Sequence, residues 1–244
     1  MKKILLPLFL LATAFAGFGQ DEHYLLIGTY TGGKSEGIYV YKFNSNTGDF
    51  SYVSKAPAGN PSYLAVSPDK KYVYGVNEDN QDKGSVTAFS FNKENGALTL
   101  INKQPSGGDH PCYVAVDKTG RWVAVGNYNG GNLSMLPVMV NGSLGAPKTI
   151  DHAGSSVVKS RQEKPHVHAT VFSDDNNYLF VPDLGTDKVM VYSFNPGSGK
   201  LTAGNPIRTE PGTGPRHFTF HPSNKFAYLV EELTAGISAY EYKK

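Results

Sequence analysis

The sequence predicts an all-β fold, a β-propeller built of four-stranded antiparallel blades, and three observations predict it. Four segments repeat one another at a near-constant spacing, turn residues cut each repeat into short alternating runs, and no convincing helical periodicity occurs outside the N-terminal segment.

The repeated segments are residues 61–74, 111–124, 167–180 and 215–228, so successive starts lie 50, 56 and 48 residues apart. Each opens with an apolar run, passes a polar turn, and resumes with a second run carrying an aromatic side chain at a fixed offset: Tyr72, Trp122, Tyr178 and Phe226. A third, alternating run follows, such as 85–91 or 188–194. Next comes a turn ending in glycine (44–48, 92–96 and 195–199), then a short fourth run such as 98–101. Four strands per unit are the signature of propeller blades, whereas an immunoglobulin-like sandwich would not repeat itself at this period. The first unit begins at 24–30, which matches the second strand of a blade, and the chain stops at 241–244 in the third strand of its fifth unit. About four and a half units are expected, with the innermost strand of the first one missing. The chain reads as a C-terminally truncated part of a larger ring, whose closure would remove the open edges.

Lys2 and Lys3 precede an apolar stretch, Ile4 to Phe15, that is too short to span a bilayer comfortably; small residues follow at Ala14, Ala16, Gly17 and Gly19. Residues 1–19 therefore read as a signal peptide, with a membrane anchor as the alternative, and 20–244 as the partial propeller. The expected location is outside the cytoplasm, periplasmic or secreted, with no membrane association after cleavage. Cys112 is the sole cysteine, so neither a disulfide framework nor lipidation at the cleavage site is available. A formal charge of +2 gives no reason to expect nucleic acid or a membrane surface as partner. The oligomeric state is left open.

Blade geometry decides which side chains can meet. The first strand of a blade runs away from one rim of the channel and the second returns, so the residue opening the first and the residue closing the second emerge at the same rim. The opening positions hold Ser62, Cys112, His168 and Arg216. The closing positions hold Asn77 and Glu78, Asn127 and Tyr128, Asp183 and Leu184, and Glu231 and Glu232. A histidine, an arginine and several acids thus converge on one mouth, which is the default binding site. Alternation sends Glu231 to the face opposite Glu232 and His217 to the side opposite Arg216, and His221 falls near the far-rim turn; His217 and His221 read as structural. The run 183–187 reads equally as a turn whose acids hold backbone N–H groups or as part of the site. Neither metal nor cofactor is expected: no tight cluster of acids accompanies the pair His166 and His168. Phosphate-binding loops, dinucleotide fingerprints and nucleophile elbows are absent from the sequence.

The segments 165–172, 181–187, 214–222 and 228–233 resemble the propeller lactonases, a family that includes 6-phosphogluconolactonases and the fungal carboxymuconate lactonizing enzyme. The resemblance runs from about residue 22 to 244, and the Asp-Leu-Gly-Thr-Asp and Gly-Pro-Arg-His runs at 183–187 and 214–217 together carry it. It implies a seven-bladed ring and a site made of a histidine opening one blade, an arginine opening the next, and a glutamate closing the latter's second strand. These fall on His168, Arg216 and Glu232 as catalytic residues. The family also uses an arginine from a later blade, beyond the end of this chain. His166, Glu78 and Asp183 are the expected substrate-binding residues. The implied reaction is hydrolysis of a small-molecule sugar lactone, 6-phosphogluconolactone or a related aldonolactone. The imidazole would act as acid and base, and the guanidinium would face an anionic group or the developing oxyanion. The alternatives are a non-catalytic exported propeller that binds a ligand or protein at its rim, and a muconate-type cycloisomerase. A phosphorylated substrate conflicts with export; an unphosphorylated lactone would remove the conflict.

Overall fold

A computed structural model describes residues 21–79 and 84–243. The segment 1–19, expected to be a signal peptide, lies outside the described residues. Among the described residues nineteen strands form five antiparallel sheets, each a propeller blade in strand order. The first sheet holds β1 (Glu22–Ile27), β2 (Gly37–Asn44) and β3 (Phe50–Pro57). The second holds β4 (Leu64–Val66), β5 (Tyr72–Asn77), β6 (Ser85–Phe91) and β7 (Leu98–Pro105). The third is formed by β8 (Pro111–Val116), β9 (Trp122–Asn127), β10 (Asn132–Pro137) and β11 (Lys148–Asp151). The fourth comprises β12 (Val171–Phe172), β13 (Tyr178–Asp183), β14 (Lys188–Asn195) and β15 (Lys200–Ala203), with β16 (Ile207–Arg208) also pairing with β14. In the fifth, β17 (Pro215–Phe220), β18 (Phe226–Glu231) and β19 (Gly236–Glu241) pair in order.

Turn chemistry fixes the register of these blades. At the tenth residue of each repeat, inside the turn between first and second strands, the backbone is left-handed: Lys70 (φ 58°), Gly120 (φ 69°), Asn176 (φ 60°) and Asn224 (φ 54°). An acid beside that turn binds its backbone, as Asp69 does to Lys71 N and Asp117 to Thr119, Arg121 and Trp122 N. The outer hairpins share a second device, in which Asn44, Asn92 and Asn195 accept from two following N–H groups and the turn closes on a left-handed Gly48, Gly96 or Gly199. The same local signals recur, so the same strand pairings recur.

Apolar side chains fill the spaces between sheets. Tyr74, Val76 and Val86 of the second sheet pack with Val114, Val123, Val125 and Leu136 of the third. Leu133 and Val167 meet Leu179, Val181 and Tyr192, and Phe180 and Val189 meet Phe218 and Leu229. The second strands of the inner sheets, β5, β9 and β13, are buried on both faces after their first residue, which is why they read as continuous apolar runs. In β1 and β19 half-buried and exposed positions instead alternate.

Candidate active site at the channel mouth

The first and second strands of successive blades deliver side chains to a cavity of about 360 Å³ at one rim, within the usual size range of small-molecule sites. Two repeat positions supply most of its wall. The second residue of the repeat gives Ser62, Cys112, His168 and Arg216, and the eighteenth gives Glu78, Tyr128 and Glu232. The seventeenth position, one residue earlier, points between blades, and Asn77, Asn127, Asp183 and Glu231 are all buried there.

One side of the cavity is a charged cluster around Glu232. Arg216 Nε donates to Glu232 Oε2 at 2.8 Å, and His168 Nε2 lies 3.6 Å from the same oxygen. The other oxygen, Oε1, accepts from Arg161 Nη2, which also donates to Tyr128 Oη at 3.1 Å. Burial works against ionisation of Glu232, but the Arg161 bond and charge and the Arg216 bond outweigh it and hold the carboxyl below its usual range. His168 is nearly buried, and burial, reinforced by the Arg216 charge, lowers its pKa to about 4. Its imidazole is therefore neutral at ordinary pH.

Cys112 Sγ lies 3.7 Å from His168 Nδ1 and within 3.7 Å of the Val167 and His168 carbonyl oxygens. Burial, then the charge of Glu78, pushes the thiol up, so it stays protonated and does not form a thiolate–imidazolium pair. On another part of the wall Glu78 Oε2 accepts from Tyr30 Oη at 2.8 Å and from Ser62 Oγ. Burial, then this bond, raises the Tyr30 pKa, so the phenol remains a donor.

Four sequence-derived site residues line the cavity: His168, Arg216, Glu232 and Glu78. His166 and Asp183 do not. His166 is buried beneath Tyr128, its ring stacked at 4.5 Å with Nδ1 facing the Tyr128 carbonyl, while its backbone N–H donates to Asp183 Oδ1. Asp183 is fully buried; it caps the turn 184–186 through Gly185 N and pairs with His152 Nδ1 at 2.8 Å. Of the two readings of 183–187, the turn describes the geometry: Asp187 accepts from Gly212 N, Gly214 N and Gln162 Nε2.

Other wall residues depart from the sequence expectation. His217 shares the mouth with Arg216 rather than facing away, its ring 5.5 Å from that of His168. The cause is a bulge: β17 advances from Pro215 to Phe218 while β18 moves only from Glu231 to Leu229, so two residues oppose Val230 and strict alternation fails. Tyr30 was legible, because carrying the register of Tyr72 and Glu78 back to Tyr24 puts Tyr30 at the eighteenth position of the first unit. Arg161 lies outside the repeat altogether. Among the described residues no group of three or more His, Cys, Asp or Glu is placed to hold a metal ion, and no helix is long and apolar enough to cross a membrane.

Comparison with known proteins agrees with this architecture. The chain is 37% identical over 226 residues to a 6-phosphogluconolactonase of Formosa agariphila, covering 88% of this chain and 63% of that one. It is 38% identical over 218 residues to a 6-phosphogluconolactonase of Bacillus subtilis, covering 88% and 61%. The chain thus spans about three-fifths of the length of these relatives. Among solved structures it is similar to a periplasmic gluconolactonase of Pseudomonas aeruginosa, with a TM-score of 0.85 at 36% identity over 91% of this chain and 65% of that one. The family model described as lactonase, 7-bladed beta-propeller, matches residues 24–244, and the chain belongs to that family.

Proposed function

We propose that the protein hydrolyses a sugar lactone, 6-phosphogluconolactone or a related aldonolactone, at this mouth, with His168, Arg216 and Glu232 as catalytic residues. The observation that carries the proposal is the contact of all three at one cavity: Arg216 and His168 meet the same oxygen of Glu232. The names of the relatives support it, as does the family.

In this reading His168 is the proton carrier. Nδ1 lies 3.7 Å from the Cys112 sulfur and Nε2 3.6 Å from Glu232 Oε2, and the tautomer protonated at Nδ1 is the one that can take a proton at Nε2. Nε2 takes a proton from water as the oxygen attacks the lactone carbonyl carbon, and Arg216 faces the oxygen that becomes negative. Glu232 stabilises the imidazolium while it lasts. As the tetrahedral intermediate collapses, the ring C–O bond breaks and the imidazolium returns its proton to the departing ring oxygen, giving the hydroxy acid. A histidine that titrates near 4 is a weak base but a strong acid, which suits a reactive ester with a poor alkoxide leaving group. Glu78, held by Tyr30 and Ser62, is placed to accept hydrogen bonds from sugar hydroxyls. Export is part of the same proposal, supported by the N-terminal segment and the periplasmic relative. The test is decay of gluconolactone and 6-phosphogluconolactone at mildly acidic pH, where spontaneous opening is slow. His168→Gln and Arg216→Met should each lower kcat/KM by at least ~100-fold. Wild-type protein that leaves both lactones at the buffer rate would refute the proposal.

A further inference from the structure

The unit that opens at 111 is 56 residues long against 50 and 48 for the units on either side, and segment 152–166 joins its last strand to the next blade. This segment contains no strand, yet it is firmly anchored. Gln162 is fully buried; its Oε1 accepts from Val158 N at 3.0 Å, and its Nε2 donates to Leu184 O at 2.9 Å and Asp187 Oδ1 at 2.8 Å. Lys164 Nζ donates to Asn129 O at 2.6 Å. Asp187 also binds Gly212 N and Gly214 N, which lead into Arg216. One buried carboxylate therefore braces both the segment carrying Arg161 and the segment carrying Arg216.

From this scaffold a single side chain, Arg161, reaches the cavity. The two arginines divide Glu232 between them. Arg216 holds Oε2, the oxygen facing His168, whereas Arg161 holds Oε1, away from the imidazole, and is 44% exposed. Both hydrogen bonds of Arg161 leave from Nη2 and use its two N–H groups, so among the described residues Nε–H and the two Nη1–H groups are the donors it can turn to an anion in the cavity.

We propose that Arg161 is the specificity-determining residue of the mouth, taking an anionic group, phosphate or carboxylate, that the substrate carries at a distance from its lactone carbonyl. This rests on the lactone reading above for the identity of the substrate, though not for the anion site itself. Arg216 faces the reacting carbonyl and Arg161 the far end of the sugar.

The aldonates that lactone hydrolysis would produce provide probes that need no turnover. Gluconate, glucarate and 6-phosphogluconate share a chain and differ at its end: hydroxyl, carboxylate and phosphate. Calorimetric titration should show 6-phosphogluconate binding wild-type protein about tenfold tighter than gluconate, the value of a charge-assisted hydrogen bond at a half-exposed site. Arg161→Gln should erase that ratio, and Arg161→Lys, which keeps the charge on a single ammonium, should retain part of it. Glucarate distinguishes the two anions: it should match 6-phosphogluconate if negative charge alone decides, and gluconate if phosphate is required. Because each result is a ratio within one variant, general damage to the site cancels. Equal binding of gluconate and 6-phosphogluconate by the wild type, or a ratio unchanged in Arg161→Gln, overturns the assignment even if gluconolactone is hydrolysed. Conversely, lactones that stay at the buffer rate while the binding ratio follows Arg161 would defeat the catalytic reading and leave the anion site standing.

Discussion

Lowering the pH should distinguish a buried, arginine-facing His168 from an ordinary histidine. At pH 5 a histidine titrating at the usual 6.5 is about 3% neutral, whereas one titrating near 4 is about 90% neutral, a difference of roughly thirtyfold in the base form. If neutral His168 is the base, kcat/KM for gluconolactone, with the buffer rate subtracted, should be flat from pH 7.5 to 5 and fall only below that. Glu232 also titrates low and touches the imidazole, so the acid limb belongs to the pair. Arg216→Gln removes the second cause of the depression after burial, and nuclear magnetic resonance should find the His168 titration moved upward in that variant. Stability carries the same signature. The folded-state pKa lies below the unfolded one, so the unfolded chain binds the extra proton; the contribution is fully present above about pH 6.5 and is lost as pH falls toward 4. The loss reaches about 3 kcal/mol over that window. His168→Gln should flatten this part of the curve. A wild-type acid limb with its midpoint between 6 and 7 would refute the reasoning, because neither burial nor the Arg216 charge would then be felt at the imidazole.

Two further outcomes follow from groups buried near the turns and the mouth. Asp117 is fully buried and accepts from Thr119 N, Thr119 Oγ1, Arg121 N, Trp122 N and, from the next blade, Asn176 Nδ2. Asp117→Ala strands several of these donors and should cost about 3–4 kcal/mol, lowering Tm by roughly 10 °C in a thermal melt; a change below about 1 kcal/mol would show that the turn holds without it. Cys112, its thiol pushed up by burial, should react with iodoacetamide at least ~10-fold more slowly in the folded protein than in urea at the same pH, and equal rates would contradict its protonated state.

The repeat made the blades and half of the mouth legible for one physical reason. Turn residues at fixed offsets fix strand pairing, and pairing fixes which side chains emerge at a rim. His168, Arg216, Glu232 and Glu78 occupy the two repeat positions that open the first strand and close the second, and all four line one cavity. The same register explains Asp183: it stands one residue before the position of Glu78, and a single step along a strand turns the side chain from the channel to the space between blades. His166 belongs to the connecting segment rather than the strand, where spacing has no directional meaning. The first strand of that blade is itself interrupted: Val167 bridges Asp183 and His168 N donates to Pro182 O, but regular pairing resumes only at Val171.

What spacing could not supply are the departures from the repeat, and they matter because a perfect repeat would make the mouth a ring of equivalent positions. Two features go beyond plain alternation. The bulge in β17 brings Arg216 and His217 to the rim together, but β8 carries a register shift at the same repeat position, between Pro111 and Tyr113, so this device belongs to the repeat. The longer connection at 152–166 adds Arg161, a residue with no counterpart among the described residues of the other blades. The sign of the second was visible as the spacing of 56 rather than 50 or 48, although nothing in that count says where the surplus residues go. Buried Gln162 decides that, because an amide that must satisfy Leu184 O and Asp187 leaves its neighbour little choice of direction. Repeat positions therefore account for His168, Arg216, Glu232 and Glu78 at the mouth, while Arg161, which makes the mouth asymmetric, comes from the segment outside the repeat.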